Sequence, residues 1–179
     1  MFPEIITSRC RLRKILPSDQ QQIFEGLSDK NVIQHYGVSY STFADTQQQM
    51  DWYENLLKTN SGIWWGISFM GEEKLAGACG INNINKEHRK AEMGYWLLPD
   101  NWGKGIMTEV LPLIIEHAFD TLDLHRIEAT VEVDNIASKK LLSKQGFEYE
   151  GTLKECEFKN EQFIDLDYFA LLNKRPNAG

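Results

Sequence analysis

Hydrophobic and polar positions alternate loosely over residues 9–15 (Arg-Cys-Arg-Leu-Arg-Lys-Ile), which predicts a strand. Pro17-Ser18-Asp19 then reads as a helix start, with Ile23, Phe24 and Leu27 at helical spacing behind it. A second helix is predicted from Asp45 to about Thr59, where Met50, Tyr53, Leu56 and Leu57 share one face. Between them, the aromatic and turn-rich stretch from His35 to Tyr40 reads as a loop. From Gly62 the pattern turns to aromatic and β-branched runs. Ile63–Phe69 and Leu75–Ile81 form strands around a turn at Met70-Gly71-Glu72-Glu73, consistent with a hairpin. Asn82–Lys90 reads as a polar loop and Ala91–Leu98 as a further strand.

Helical spacing returns over roughly residues 105–120, with Ile106, Val110, Leu113, Ile114 and His117 as the inner stripe. Pro112 lies inside this helix, where it removes a backbone hydrogen bond at a cost of ~3 kcal/mol or more, and a kink near Thr108 is expected. Arg126–Val133 is a strand, and Asn135 to Gln145 a helix ended by Gly146 in a left-handed conformation. Phe147–Leu172 holds two strands divided by Lys159-Asn160-Glu161, and Asn173–Gly179 reads as a frayed tail. No repeat or linker interrupts the order. It implies one α+β domain over residues 1–179, with an ordered core of about 9–172 and a parallel pairing between the strands on either side of the 105–120 helix.

Composition narrows the function classes. At 179 residues, with 42% apolar and 25% charged residues, the chain suits one domain with a sizeable core. No apolar run is long enough to cross a membrane, and Met-Phe-Pro-Glu lacks the features of a signal peptide, so a cytoplasmic location is expected. A net charge of −7 argues against nucleic acid as a partner and suits a basic acceptor such as an amine. Cys10, Cys79 and Cys156 show no CxxC spacing and read as small buried hydrophobes. The four histidines lack metal-binding spacing, so no metal is expected.

The chemistry concentrates after residue 96. An apolar strand stops at Pro99, turns through Trp102-Gly103-Lys104-Gly105, and enters a helix at Ile106-Met107-Thr108. Glycines admit close approach of backbone N–H groups, a helix start offers unpaired amides, and Lys104 adds a mobile charge. This is an anion site for a phosphorylated ligand. It is not a Walker A loop, because Leu98 stands where the first glycine belongs and Gly105 follows the lysine. The dinucleotide pattern GxGxxG fails at Thr108, and no HRD or DFG triplet supports a kinase.

The loop resembles motif A of the GNAT acetyltransferases, Arg/Gln-x-x-Gly-x-Gly/Ala, departing from it at Trp102 and Met107. Trp-Gly-Lys-Gly is the form of the RimJ/RimL-like branch, and three further segments are similar to that branch. These are Ala91-Glu92-Met93-Gly94-Tyr95-Trp96-Leu97, Leu124-His125-Arg126-Ile127-Glu128-Ala129, and Asp134-Asn135-x-x-Ser138 with Leu142 and Gln145-Gly146-Phe147. Leu12-Arg13 and the element order agree from near residue 9 to near residue 172. The resemblance implies a mixed, mostly antiparallel twisted sheet of six to seven strands flanked by about four helices, with a splayed strand pair holding the cofactor. It implies acetyl-coenzyme A as donor, an N-acetyltransferase activity, and a monomer or homodimer.

By the same resemblance, Trp96, Leu97 and Leu98 offer main-chain contacts to the pantetheine arm, and Trp102, Gly103, Lys104, Gly105, Ile106, Met107 and Thr108 cradle the pyrophosphate. Asn135 and Ser138 project from one helix face; Asn135 would bind the pantetheine amide and Ser138 would protonate the leaving thiolate. The plainer alternative is that Asn135 caps the helix and Ser138 is solvated. Two carboxylates compete as general base: Glu92, and Glu157 in Cys156-Glu157-Phe158-Lys159-Asn160, which resembles an Ala-Glu-Phe-Leu-Asn segment of the branch. His35, Tyr36 and Tyr40 fall where the family builds its acceptor cleft. The expected acceptor is a protein or peptide α-amine, a ribosomal protein's among them. The alternatives are a small amine such as a polyamine, aminoglycoside or amino-acid derivative, and a non-catalytic acyl-coenzyme A sensor.

Overall fold

The two-residue period of the middle of the chain becomes the centre of one sheet. A computed structural model describes residues 2–174. Its eight strands are β1 (Ile5–Ile6), β2 (Cys10–Lys14), β3 (Ile63–Phe69), β4 (Leu75–Asn85), β5 (Lys90–Leu97), β6 (Arg126–Glu132), β7 (Glu148–Lys159) and β8 (Gln162–Leu172). They lie in the order β1-β2-β3-β4-β5-β6-β8-β7. Every neighbouring pair is antiparallel except β5 and β6. The helices are α1 (Gln20–Ser28), α2 (Lys30–Ile33), α3 (Gln47–Thr59), α4 (Ile106–Glu116) and α5 (Ile136–Lys144).

Because successive side chains of a strand point to opposite faces, Trp64 and Trp65 enter two different cores. On one face, Trp64, Leu75, Ala78 and Trp96 pack with Ile23 and Leu27 of α1 and Met50, Tyr53 and Leu56 of α3. On the other, Trp65, Ile67, Cys79, Met93 and Leu97 pack with α4 and with Leu142 of α5. The Arg13 noted in the sequence is buried and grips Asp19 with its two terminal guanidinium nitrogens, each at 2.8 Å, joining β2 to the start of α1. Removing either partner of such a buried pair costs about 3–5 kcal/mol.

Several sequence expectations are corrected in detail. The sheet has eight strands because Ile5–Ile6 adds an edge, and the helices number five because Asp29 caps the single turn of α2 through Asn31 and Val32. The strand expected to end at Ile81 runs on to Asn85, since Asn85 pairs with Lys90 beyond a bulge. In α4 the buried stripe is Ile106, Met107, Val110, Leu111 and Ile114, while Leu113 is only half-buried. The helix continues through the exposed Pro112, and a π-helical turn follows at His117–Thr121. Cys10 and Cys79 are buried, but Cys156 is exposed on the outer hairpin. Of the frayed tail expected over Asn173–Gly179, the backbone N–H of Asn173 donates to His125 O at 2.8 Å, so this residue is pinned, and residues 175–179 lie outside the described residues.

Candidate active site

Strands β5 and β6 run parallel for three residue pairs only, Lys90 with Arg126, Ala91 with Ile127 and Glu92 with Glu128. Beyond that point they separate, because β6 is held away by its full pairing with β8 while β5 stays with β4. A groove of about 800 Å³ opens in the gap. Met93–Leu97 form one wall and Ala129–Val131 the other. Its lining includes Val32, His35 and Tyr36 from the α1 and α3 side and Ile106, Asn135 and Ser138 from the α4 and α5 side. The groove is a slot that draws its walls from both faces of the sheet.

At one end of the slot the chain turns into α4. Gly103 and Gly105 have φ of +71° and +74°, a left-handed conformation that side-chained residues rarely adopt, and both border the groove. Gly105 is the N-cap of α4 and offers no side chain to the first amides of the helix. Lys104 is exposed. Trp102, at the position where the sequence departs from motif A, donates its indole N–H to Leu97 O at 2.9 Å and so ties the loop to the end of β5. Met107, the other departure, turns into the core and does not fill the loop.

The loop is also braced from a distance. Arg9 donates to Lys104 O at 2.9 Å and to Glu109 at 2.6 Å, and Glu109 accepts from Ser8 as well. The Thr7 hydroxyl and then Arg9 hold the Glu109 carboxyl below its usual range. Tying the Lys104 carbonyl to Arg9 turns the trans-related N–H of Gly105 the opposite way. Arg9 is ninety-five residues from Lys104 in the chain, so no local pattern marks it.

Across the slot, Asn135 caps α5 by accepting the Ser138 backbone N–H at 3.1 Å, as the plainer reading of this residue requires. Ser138 is not merely solvated. Its hydroxyl lies 2.6 Å from the Tyr95 hydroxyl, which reaches over from β5. Burial pushes the Tyr95 phenol up to about 12, against a smaller opposite effect of the Ser138 hydrogen bond. Tyr95, read in the sequence only as part of a strand, therefore belongs to the groove.

Residues 9–148 match the acetyltransferase (GNAT) domain model. The chain belongs to the GNAT acetyltransferase family. It is 32% identical over 176 residues to the uncharacterized N-acetyltransferase YoaA of Bacillus subtilis, covering 98% of this chain and 99% of that protein. It is 30% identical to a spermidine N(1)-acetyltransferase of Vibrio cholerae, over 95% of this chain and 96% of that one. A 34% identity to the ribosomal-protein-serine acetyltransferase of Escherichia coli spans 55% of each chain. Among solved structures, the spermidine N-acetyltransferase from Vibrio cholerae in complex with CoA and spermine superposes with a TM-score of 0.81 at 25% identity, over 93% of this chain and 96% of that one. A RimL–coenzyme A complex shares the fold with a TM-score of 0.84, at 23% identity and covering 94% and 96%.

The remaining candidates of this acetyltransferase sit on the face of α1 and α3. Glu92 has the same strand parity as Trp96, opposite to Tyr95, and lies where the parallel pairing ends. Its Oε2 accepts from Asn83 at 2.9 Å and from Asn82 at 3.4 Å. Glu157 is exposed on β7 and shares a hairpin face with Lys159, whose Nζ reaches Gln34 O and Glu132 beside the groove. His35 and Tyr36 line the groove, whereas Tyr40 bonds Gln49 and stays out of it.

A cluster that the sequence did not reveal closes this side: Glu132 accepts from Lys159 and pairs with His35 Nδ1 at 3.1 Å, and Lys159 also reaches Gln34 O at 2.8 Å. It joins three segments that carry no common motif. Among the described residues, no group of three or more His, Cys, Asp or Glu is arranged to hold a metal, and no helix is long and apolar enough to cross a membrane.

Proposed function

We propose that this acetyltransferase transfers the acetyl group of acetyl-coenzyme A to the α-amine of a protein or peptide. The observation that carries the acceptor class is the poverty of free carboxylate in the groove. Among the described residues its one acidic lining residue is Asp134, the Glu92 carboxylate at its closed end accepts from Asn82 and Asn83, and the nearby Glu132 is already matched by Lys159 and His35. A polyamine carries several cations and is best held by several unmatched carboxylates, whereas a peptide brings one charged amine followed by neutral backbone. The ribosomal-protein-serine acetyltransferase among the relatives supports the same reading.

Gly103, Lys104, Gly105 and the first amides of α4, through Ile106, Met107 and Thr108, fit a pyrophosphate. The β5 edge at Trp96, Leu97 and Leu98 fits the pantetheine arm, with Trp102 fixing the loop beside it and Asn135, whose oxygen caps α5, leaving its side-chain NH2 available in the groove lining. The donor supplies an already activated thioester. Glu92, anchored at the closed end of the slot, receives the proton of the attacking amine on one face, and Ser138 gives a proton to the departing sulfur on the other. Glu157 has no anchoring side-chain partner among the described residues and serves less well. Much of the acceleration comes from holding both reactants in line.

The test is a thiol-release assay with a panel of N-terminal peptides, spermidine and an aminoglycoside, repeated for Glu92→Gln and Glu157→Gln. Peptide turnover that Glu92→Gln suppresses and Glu157→Gln spares is the expected result. Turnover of spermidine with none of any peptide overturns the acceptor assignment.

A further inference from the structure

The Tyr95–Ser138 contact joins the β5 wall of the slot to the first turn of α5. Tyr95 stands on β5 among the groove residues, and Ser138 stands at the first turn of α5 with its backbone fixed by the Asn135 cap. Each hydroxyl has one proton and can both donate and accept. Glu109, Glu128 and Asp167 are each committed to other partners, and neither the Tyr95 nor the Ser138 hydroxyl has a further side-chain partner among the described residues. If Tyr95 donates to Ser138, the serine proton is directed away from Tyr95, toward the slot.

We infer that Tyr95 is a positioning residue that orients the Ser138 hydroxyl and restores its proton during acetyl transfer. This rests on the proposed role of Ser138. An aliphatic alcohol alone is a poor acid, because it must leave an alkoxide. Here the electron pair of the breaking C–S bond goes to sulfur, the Ser138 proton passes to that sulfur, and the Tyr95 proton passes to the Ser138 oxygen. The charge ends on a phenolate, a far weaker base than an alkoxide, and solvent water reprotonates it after the thiol departs. A phenol is protonated throughout the neutral range, so the donor is loaded before each turnover.

The experiment compares Tyr95→Phe, Ser138→Ala and the double variant, and adds a fluorotyrosine series at position 95 that preserves shape while changing phenol acidity. Tyr95→Phe is expected to lower kcat by about tenfold or more with the KM for acetyl-coenzyme A within roughly twofold, as for loss of a proton-transfer contribution. The double variant should be no slower than Ser138→Ala alone, and kcat should follow phenol acidity across the fluorotyrosines. In the ligand-free protein, the fluorine resonance of 3-fluorotyrosine at position 95 should shift on Ser138→Ala. If Ser138→Ala lowers kcat and neither Tyr95→Phe nor the fluorotyrosines change it, the Tyr95 role is overturned and the Ser138 role stands. If Ser138→Ala leaves kcat unchanged, both fall.

Discussion

The two sides of the slot are built in different ways. The side facing α4 and α5 is built largely of backbone (two left-handed glycines, a helix start without a side-chain cap, and a bare strand edge), with Tyr95, Asn135 and Ser138 adding side chains close to it in the chain. The side facing α1 and α3 is made of long side chains that meet from distant segments, as Glu132, His35 and Lys159 do. A wall of backbone tolerates little substitution and presents the same groups whatever the neighbouring side chains are. A wall of side chains can be rebuilt one residue at a time. The first suits a ligand that does not vary, the second a partner that does.

The largest expected effect that would break this contrast is at Gly105. Gly105→Val puts a β-branched residue at φ +74°, strain of about 1–3 kcal/mol, so the acetyl-coenzyme A KM should rise roughly tenfold while the acceptor KM stays within error. Steady-state kinetics with both substrates varied read this directly, and an unchanged donor KM would remove the loop from the phosphate site. The mirror experiment is Lys159→Ala. Loss of a partly buried ion pair is worth about 1 kcal/mol, so the acceptor KM should change about fivefold and the donor KM not at all. A shift in the donor KM instead would mean that the two walls are not separable.

This division also explains what could be read from the chain. The glycine loop, the Asn135/Ser138 turn and the strand that ends in Trp96 and Leu97 are local in sequence, and local backbone chemistry leaves a pattern in neighbouring residues. Most element positions were legible for the same reason. Arg9, Glu132 and Lys159 act over separations of roughly a hundred, ninety-seven and twenty-seven residues, which only the folded sheet brings to contact distance. Tyr95 was hidden differently. Its place in an apolar strand is that of an ordinary core residue, and only the position of α5 gives its hydroxyl a partner. The two-residue β1 and the one-turn α2 are too short to show a period at all.

Smaller effects sharpen the comparison. Arg9→Lys keeps the charge and loses the planar fork that spans Lys104 O and Glu109, so the donor KM should rise about two- to threefold with kcat unchanged. The smallest effect is in acid. Because the folded Glu109 carboxyl is held below 4.5, its brace is complete above the ordinary carboxylate range and is lost as pH falls through the lowered value. Donor affinity, followed by calorimetry in acid, should therefore weaken only below about pH 4.5, and Glu109→Gln should remove that dependence.

The short parallel pairing of β5 with β6 has a mechanical consequence. Over most of its length the sheet is two plates, one of β1 to β5 and one of β6, β8 and β7, joined along a seam of three residue pairs. On the proposed reading, a pantetheine arm laid against β5 acts as a strand that the chain itself lacks, so the donor is also the mortar of the seam. Occupancy then contributes RT ln(1 + [L]/Kd) to stability, and the plates are held most firmly while the reaction has both substrates in place.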